Sequence, residues 1–108
     1  MALSLKEQLG NLILSLPNVR LQKSRFSSNE AFISAGREFA HFHDDDVIHI
    51  RLTQKVIRQL QIELRQDARI TLRKSSDWLE FAFGDEQDLE KAVVLVQLAL
   101  DANNAREP

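Results

Sequence analysis

Along this 108-residue chain the spacing of apolar positions changes several times, and each change marks a change of element. Leu5, Leu9, Leu12, Ile13 and Leu16 recur every three or four residues, the repeat that lines one side of a helix. Ser4 and Glu7 stand at capping-box spacing ahead of that run, where each side chain can satisfy an otherwise unpaired amide, and Pro17 stops it. A helix is predicted over Leu5–Leu16. From Asn18 to Leu52 the repeat shortens to two: Val19 and Leu21, then Ala31, Ile33 and Ala35, then Ala40 and Phe42, then Ile48, Ile50 and Leu52. Alternate residues of a strand share a face, so these are four predicted strands with those residues turned to a core. Arg25 to Asn29 supplies the first turn, Ala35-Gly36 a bend or bulge, and Asp44-Asp45-Asp46 a further turn.

The helical repeat then returns. Thr53 caps a second helix whose buried stripe is Val56, Ile57, Leu60 and Leu64. A strand over Arg69 to Leu72, a turn over Lys74 to Asp77 and a strand over Trp78 to Phe83 make a hairpin. Asp85 caps the last helix, with the stripe Leu89, Ala92, Val93, Val96 and Leu100. Val94, Leu95 and Leu98 carry its apolar surface beyond one face, so that helix is either sandwiched or shared with a partner. The tail from Asn103 to Pro108 is predicted to fray. The order α-β-β-β-β-α-β-β-α predicts an α+β fold in two layers, a mainly antiparallel sheet with helices packed on one face, as a single domain over residues 1–108.

Parity decides where the polar strand residues go. A turn of three residues at Asp44-Asp45-Asp46 keeps Ala40, Phe42, Ile48 and Ile50 together against the helices, whereas an even turn would scatter them. His41 then lies opposite His49 on the other face, with His43 nearby and Phe39 opposite Arg51. In the last hairpin Leu79, Phe81 and Phe83 form the core set, which sends Trp78 and Glu80 to that same outer face. All three histidines of the chain thus gather on one surface. Histidine titrates near neutral pH, so His41, His43 and His49 are the candidate catalytic acid or base groups. Arg37, Glu38, Arg51, Trp78 and Glu80 are the candidate ligand-binding residues around them, an arginine to neutralise an anion and the indole to stack on a ring. No metal site is assigned, because no second cluster of carboxylates or cysteines completes the histidine pair. The three aspartates read as a turn rather than a metal loop.

Composition narrows the functions. A net charge of −2 offers no footprint for a phosphate backbone, so no nucleic-acid partner is expected. With no cysteine there is no disulfide framework. Lys6 and Glu7 interrupt the segment where an export signal needs apolar residues, and the longest apolar run, Ala92 to Val96, falls far short of a membrane span. No membrane association and a cytoplasmic location are therefore expected, and the sequence names no cofactor.

Gly36-Arg37-Glu38-Phe39-Ala40-His41-Phe42-His43 with its acidic turn, then Ser76-Asp77-Trp78-Leu79-Glu80-Phe81, then Asp88-Leu89-Glu90-Lys91-Ala92-Val93-Val94-Leu95, resemble the luciferase-domain family of small bacterial proteins, to which the fungal luciferase domain also belongs. The resemblance spans about Pro17 to Asp101. It implies that Arg37, Glu38, His41, His43 and Trp78 sit at the family's characteristic positions. In the fungal enzyme this domain is associated with oxygenating a hydroxylated pyrone, whereas the short bacterial relatives generally have no assigned substrate. Two functions follow as expectations. One is a non-catalytic interaction module that self-associates, most simply as a homodimer, through the outer face or through Val94, Leu95 and Leu98. The alternative is a small-molecule-binding or oxygenase-like enzyme whose pocket is built from His41 or His43, Arg37 or Arg51, and Trp78.

Overall fold

The computed structural model describes residues 3–24 and 30–104, and the turn expected over Arg25 to Asn29 lies outside them. Among the described residues the elements are α1 (Leu5–Leu14), β1 (Arg20–Lys23), β2 (Glu30–Ser34), β3 (Arg37–Asp44), β4 (Val47–Arg51), α2 (Gln54–Gln59), α3 (Gln61–Gln66), β5 (Ile70–Leu72), β6 (Trp78–Ala82) and α4 (Glu86–Asn104). The strands form one antiparallel sheet in the order β1-β2-β3-β4-β6-β5, and the fold is α+β with the helices packed on the sheet. Among the described residues no helix is long and apolar enough to cross a membrane.

The caps are where the sequence places them. Ser4 Oγ accepts from the Glu7 amide at 3.1 Å, and Glu7 Oε1 accepts from the Ser4 amide at 2.9 Å, which closes the capping box. Asp85 Oδ1 accepts from the Asp88 amide at 3.0 Å at the head of α4. The second helix differs from its prediction. It is two short helices hinged at Leu60, whose φ of −107° and ψ of 14° leave the helical region. Thr53 caps the first of them from φ 80°, a conformation that few β-branched residues adopt. α4 also runs further than expected, because Asn103 is buried and its Nδ2 donates to the Ala99 and Arg51 carbonyl oxygens; residues 105–108 lie outside the described residues.

The core lies between sheet and helices. Leu9, Ile13, Ile48, Ile50, Leu52, Leu79, Phe81, Ala92, Leu95 and Val96 are essentially inaccessible, and each large side chain withdrawn from water contributes about 1.5–3 kcal/mol. Leu95 is in that core and Leu98 packs against it, with α1 lying against α4. The wide apolar surface of α4 is therefore covered within the fold, and of its three extra apolar residues only Val94 is exposed.

Three strand assignments are corrected. In β2 the core residue is Phe32, while Ala31 and Ile33 share the opposite face. All three are apolar, so alternation alone leaves their parity open, and the largest side chain has gone inward. Ala35 and Gly36, with φ of 52° and 76°, form the two-residue turn into β3, since positive φ at both central positions is what a tight hairpin with native twist requires. The third correction concerns Phe39. Phe32 pairs with Ala40 but Ile33 pairs with Glu38, so Phe39 is an extra residue in β3, a bulge that resets the alternation. Phe39 enters the core, 1% exposed, rather than facing outward opposite Arg51.

Candidate functional site

The site lies on the sheet face opposite the helices, and two bulges in β3 build it. The first, at Phe39, turns Glu38 to the same side as His41, although residues three apart on a regular strand point in opposite directions. The second sits between Phe42 and Asp44. The β3–β4 turn is thus the two residues Asp45-Asp46 plus a bulged His43, not three turn residues, and the extra residue has the same effect on parity. His41 pairs directly with His49, as the parity argument requires. On the far side of β4, His49 pairs with Glu80 and Arg51 with Trp78.

These registers bring five aromatic and acidic groups together. The His41 ring lies 5.0 Å from His49, edge on, and 5.0 Å from Trp78. His43 stacks on His49 at 4.7 Å with the planes 10° apart. Glu38 Oε2 stands 2.7 Å from His41 Nδ1, and the Ser24 hydroxyl is 2.9 Å from each Glu38 oxygen. Both partners of the Glu38–His41 pair are buried, with side-chain exposures of 3% and 7%. Buried polar groups must be paired to be tolerated, and this carboxylate, hydroxyl and imidazole satisfy one another. His43, by contrast, is well exposed at the rim.

His49 differs from both. Its Nε2 is buried with no hydrogen-bond partner among the described residues, and Glu80 Oε2 stands off at 3.7 Å while also receiving Arg73. Burial holds the His49 imidazole below the ordinary histidine value, and His41 adds to this by repulsion. Glu80 pulls the other way, and His43 and Arg73 again push downward.

Of the two arginines, Arg37 leaves the histidine face, while Arg51 stays beside Trp78 on it. Arg37 donates to the Asn103 carbonyl oxygen at 3.2 Å, at the C-terminal end of α4, where a cation meets the negative end of the helix. It serves the helix layer rather than the histidine face. Arg51 is paired with Asp77 at 3.2 Å beside Trp78. Ser24, the third member of the buried network, was not singled out in the sequence, because it lies two strands away from His41 and no local motif marks it. Among the described residues no group of three or more histidine, cysteine, aspartate or glutamate side chains is placed to hold a metal ion.

The buried pair has one chemical consequence. With its hydrogen on Nδ1, His41 donates to Glu38 and keeps a lone pair on Nε2, the atom that accepts a proton in general-base chemistry. The carboxylate fixes the ring's orientation.

No curated protein and no solved structure matches the chain significantly. A family model does, over residues 36–99, which is more than half of the chain and holds every residue of the site except Ser24. It begins at Gly36 rather than near Pro17, leaving α1, β1 and β2 outside the match. That model describes the luciferase domain, and the chain belongs to the luciferase domain family.

Proposed function

We propose that the protein binds a small, weakly acidic ring compound on the face opposite its helices and uses His41 as the general base that removes the ring's proton. The observation that carries this reading is the 2.7 Å contact between His41 Nδ1 and a buried Glu38 that is itself held by Ser24. A hydroxyl or enol proton passes to His41 Nε2, and the ligand becomes an electron-rich anion. Trp78 offers a flat wall beside the base at 5.0 Å, suited to a planar ligand. The membership of a family that includes a domain acting on a hydroxylated pyrone points in the same direction. Self-association through α4 has less support, since Leu95 is buried and Leu98 packs against the core.

The test uses 4-nitrophenol and a simple 4-hydroxy-2-pyrone, weak acids whose anions absorb differently from the neutral forms. On binding, the wild-type protein is expected to raise the anion band at a pH where the free compound is mostly neutral, and His41→Gln and Glu38→Gln are expected to abolish the change. Binding with no such band, or a band that both variants retain, would contradict the assignment.

A further inference from the structure

We infer that the groove between α2, α3 and the β5–β6 turn is a second binding site, for a small phosphate monoester with a hydroxylated body, the chemistry of a sugar phosphate. None of the histidines lines it, and it does not rest on the proposed base. The groove encloses about 510 Å³, within the range of small-molecule sites. Arg58 of α2, Arg65 of α3, and Arg73 and Lys74 beside the turn line it, and no aspartate or glutamate stands among its described lining residues. The chain carries 16 acidic residues against 14 basic ones, so four cations around one depression depart from its average composition.

Most of these charges lack a counterpart. Among the described residues Arg58, Arg65 and Lys74 form no ion pair, whereas Arg51 holds Asp77 and Arg69 holds both Asp67 and Asp88. Arg73 gives one nitrogen to Glu80 and keeps further N–H donors. Like charges gathered from separate elements repel one another until an anion joins them. A phosphate monoester carries about 1.5 to 2 negative charges near pH 7 and three acceptor oxygens, which supplies what the cations lack. The turn that presents Lys74 is held in place: Gln54 Nε2 donates to the Ser75 carbonyl oxygen at 3.1 Å, and Ser75 keeps a φ of 58°, in the left-handed region that few residues other than glycine adopt.

The neutral lining defines the rest of the ligand. Gln61, Ser75 and Ser76 line the groove alongside the cations. The Ser76 hydroxyl oxygen accepts from the Trp78 amide at 3.0 Å and so keeps its own hydrogen for donation. The apolar lining residues, Ile57 and Leu72, belong to the core or pack against it, and no aromatic ring stands among the described lining residues. A nucleobase therefore finds nothing to stack on, whereas hydroxyl groups find amide and hydroxyl partners. The net charge of −2 works against a long polyanion, while a compact one meets only the local excess of cations.

The probe is glucose 6-phosphate, titrated into the ¹⁵N-labelled chain at about 150 mM salt, where distant surface charges are screened. Saturable amide shifts are expected around Arg58 and from Lys74 to Ser76, with glucose giving none and inorganic phosphate binding about tenfold more weakly. Arg58→Gln and Arg65→Gln, both at exposed positions, are each expected to weaken binding at least tenfold, the loss of one hydrogen bond to a charged group. Lys55→Gln removes the same charge from α2 at an exposed position outside the groove, and it and His41→Gln are expected to leave binding unchanged. Absence of saturable binding would overturn the proposal, as would inorganic phosphate binding as tightly as the sugar phosphate, which would mark an adventitious ion only. A loss in Lys55→Gln equal to that in Arg58→Gln would reduce the effect to net charge, and a loss in His41→Gln would move the ligand to the histidine face; either result contradicts the assignment. A single-stranded oligonucleotide that binds more tightly than the sugar phosphate and is weakened by Arg58→Gln would also contradict it, by giving the groove to nucleic acid.

Discussion

Glu38 and His41 lie three residues apart on one strand, yet their side chains meet at 2.7 Å on the same face of the sheet. A regular strand forbids that meeting, and the bulge at Phe39 permits it. The bulge therefore has two products at once: a phenylalanine for the core and a buried carboxylate for the imidazole.

Phe39→Ala tests the first product. Because the ring is buried among core side chains, its removal is expected to cost about 3–5 kcal/mol in urea unfolding, the range for emptying a core site of an aromatic. A loss under 1 kcal/mol would match a phenylalanine on the outer face instead.

Ser24→Ala tests the network behind the pair. The alanine leaves Glu38 without a hydroxyl that stands 2.9 Å from both its oxygens, and the expected loss is about 1–3 kcal/mol, the cost of taking a partner from a buried polar group. A neutral result would mean that Ser24 does not hold the carboxylate.

The pH dependence of stability has a sign set by His49. Its imidazole binds a proton less readily folded than unfolded, so the unfolded chain takes up more protons once pH falls below the ordinary histidine value of 6.5. Stability is expected to be full above that pH and to decline as the solution is acidified from 6.5 toward the lower folded value. His49→Gln is expected to flatten this part of the curve in denaturant titrations between pH 5 and 8. A steeper decline in the variant would reverse the sign.

A second, more acidic window belongs to Asp67. Arg69, which hydrogen-bonds to it through side chain and backbone, holds the Asp67 carboxyl at about 2, and the same guanidinium reaches Asp88. This contribution is present above the ordinary aspartate value of 3.8 and is lost as pH falls through about 2. Asp67→Asn is expected to unfold more readily at neutral pH and to lose less stability than wild type on going to pH 2, as followed by circular dichroism.

Much of the arrangement is legible in the residues themselves, because apolar alternation in β4 and β6 is strict. Ile48 and Ile50 against His49, and Leu79 and Phe81 against Glu80, leave a single parity, and it places His49, Arg51, Trp78 and Glu80 on one face. In β3 the rule breaks at Phe39-Ala40, two adjacent apolar residues that both point inward. That doublet is a visible sign of the bulge, yet alternation from His43 backward reads through it and exchanges Phe39 for Glu38. The roles of Arg37 and Ser24 depend on contacts with α4 and between strands, which no local spacing encodes.

The tautomer of His41 is the most direct test of the central relationship. Long-range ¹H–¹⁵N correlation of the ring at pH 8.5 is expected to show the hydrogen on Nδ1, directed at Glu38, and a free lone pair on Nε2, with a mixed population in Glu38→Gln. A ring protonated on Nε2 in the wild type, or a pattern that Glu38→Gln leaves unchanged, would contradict the account.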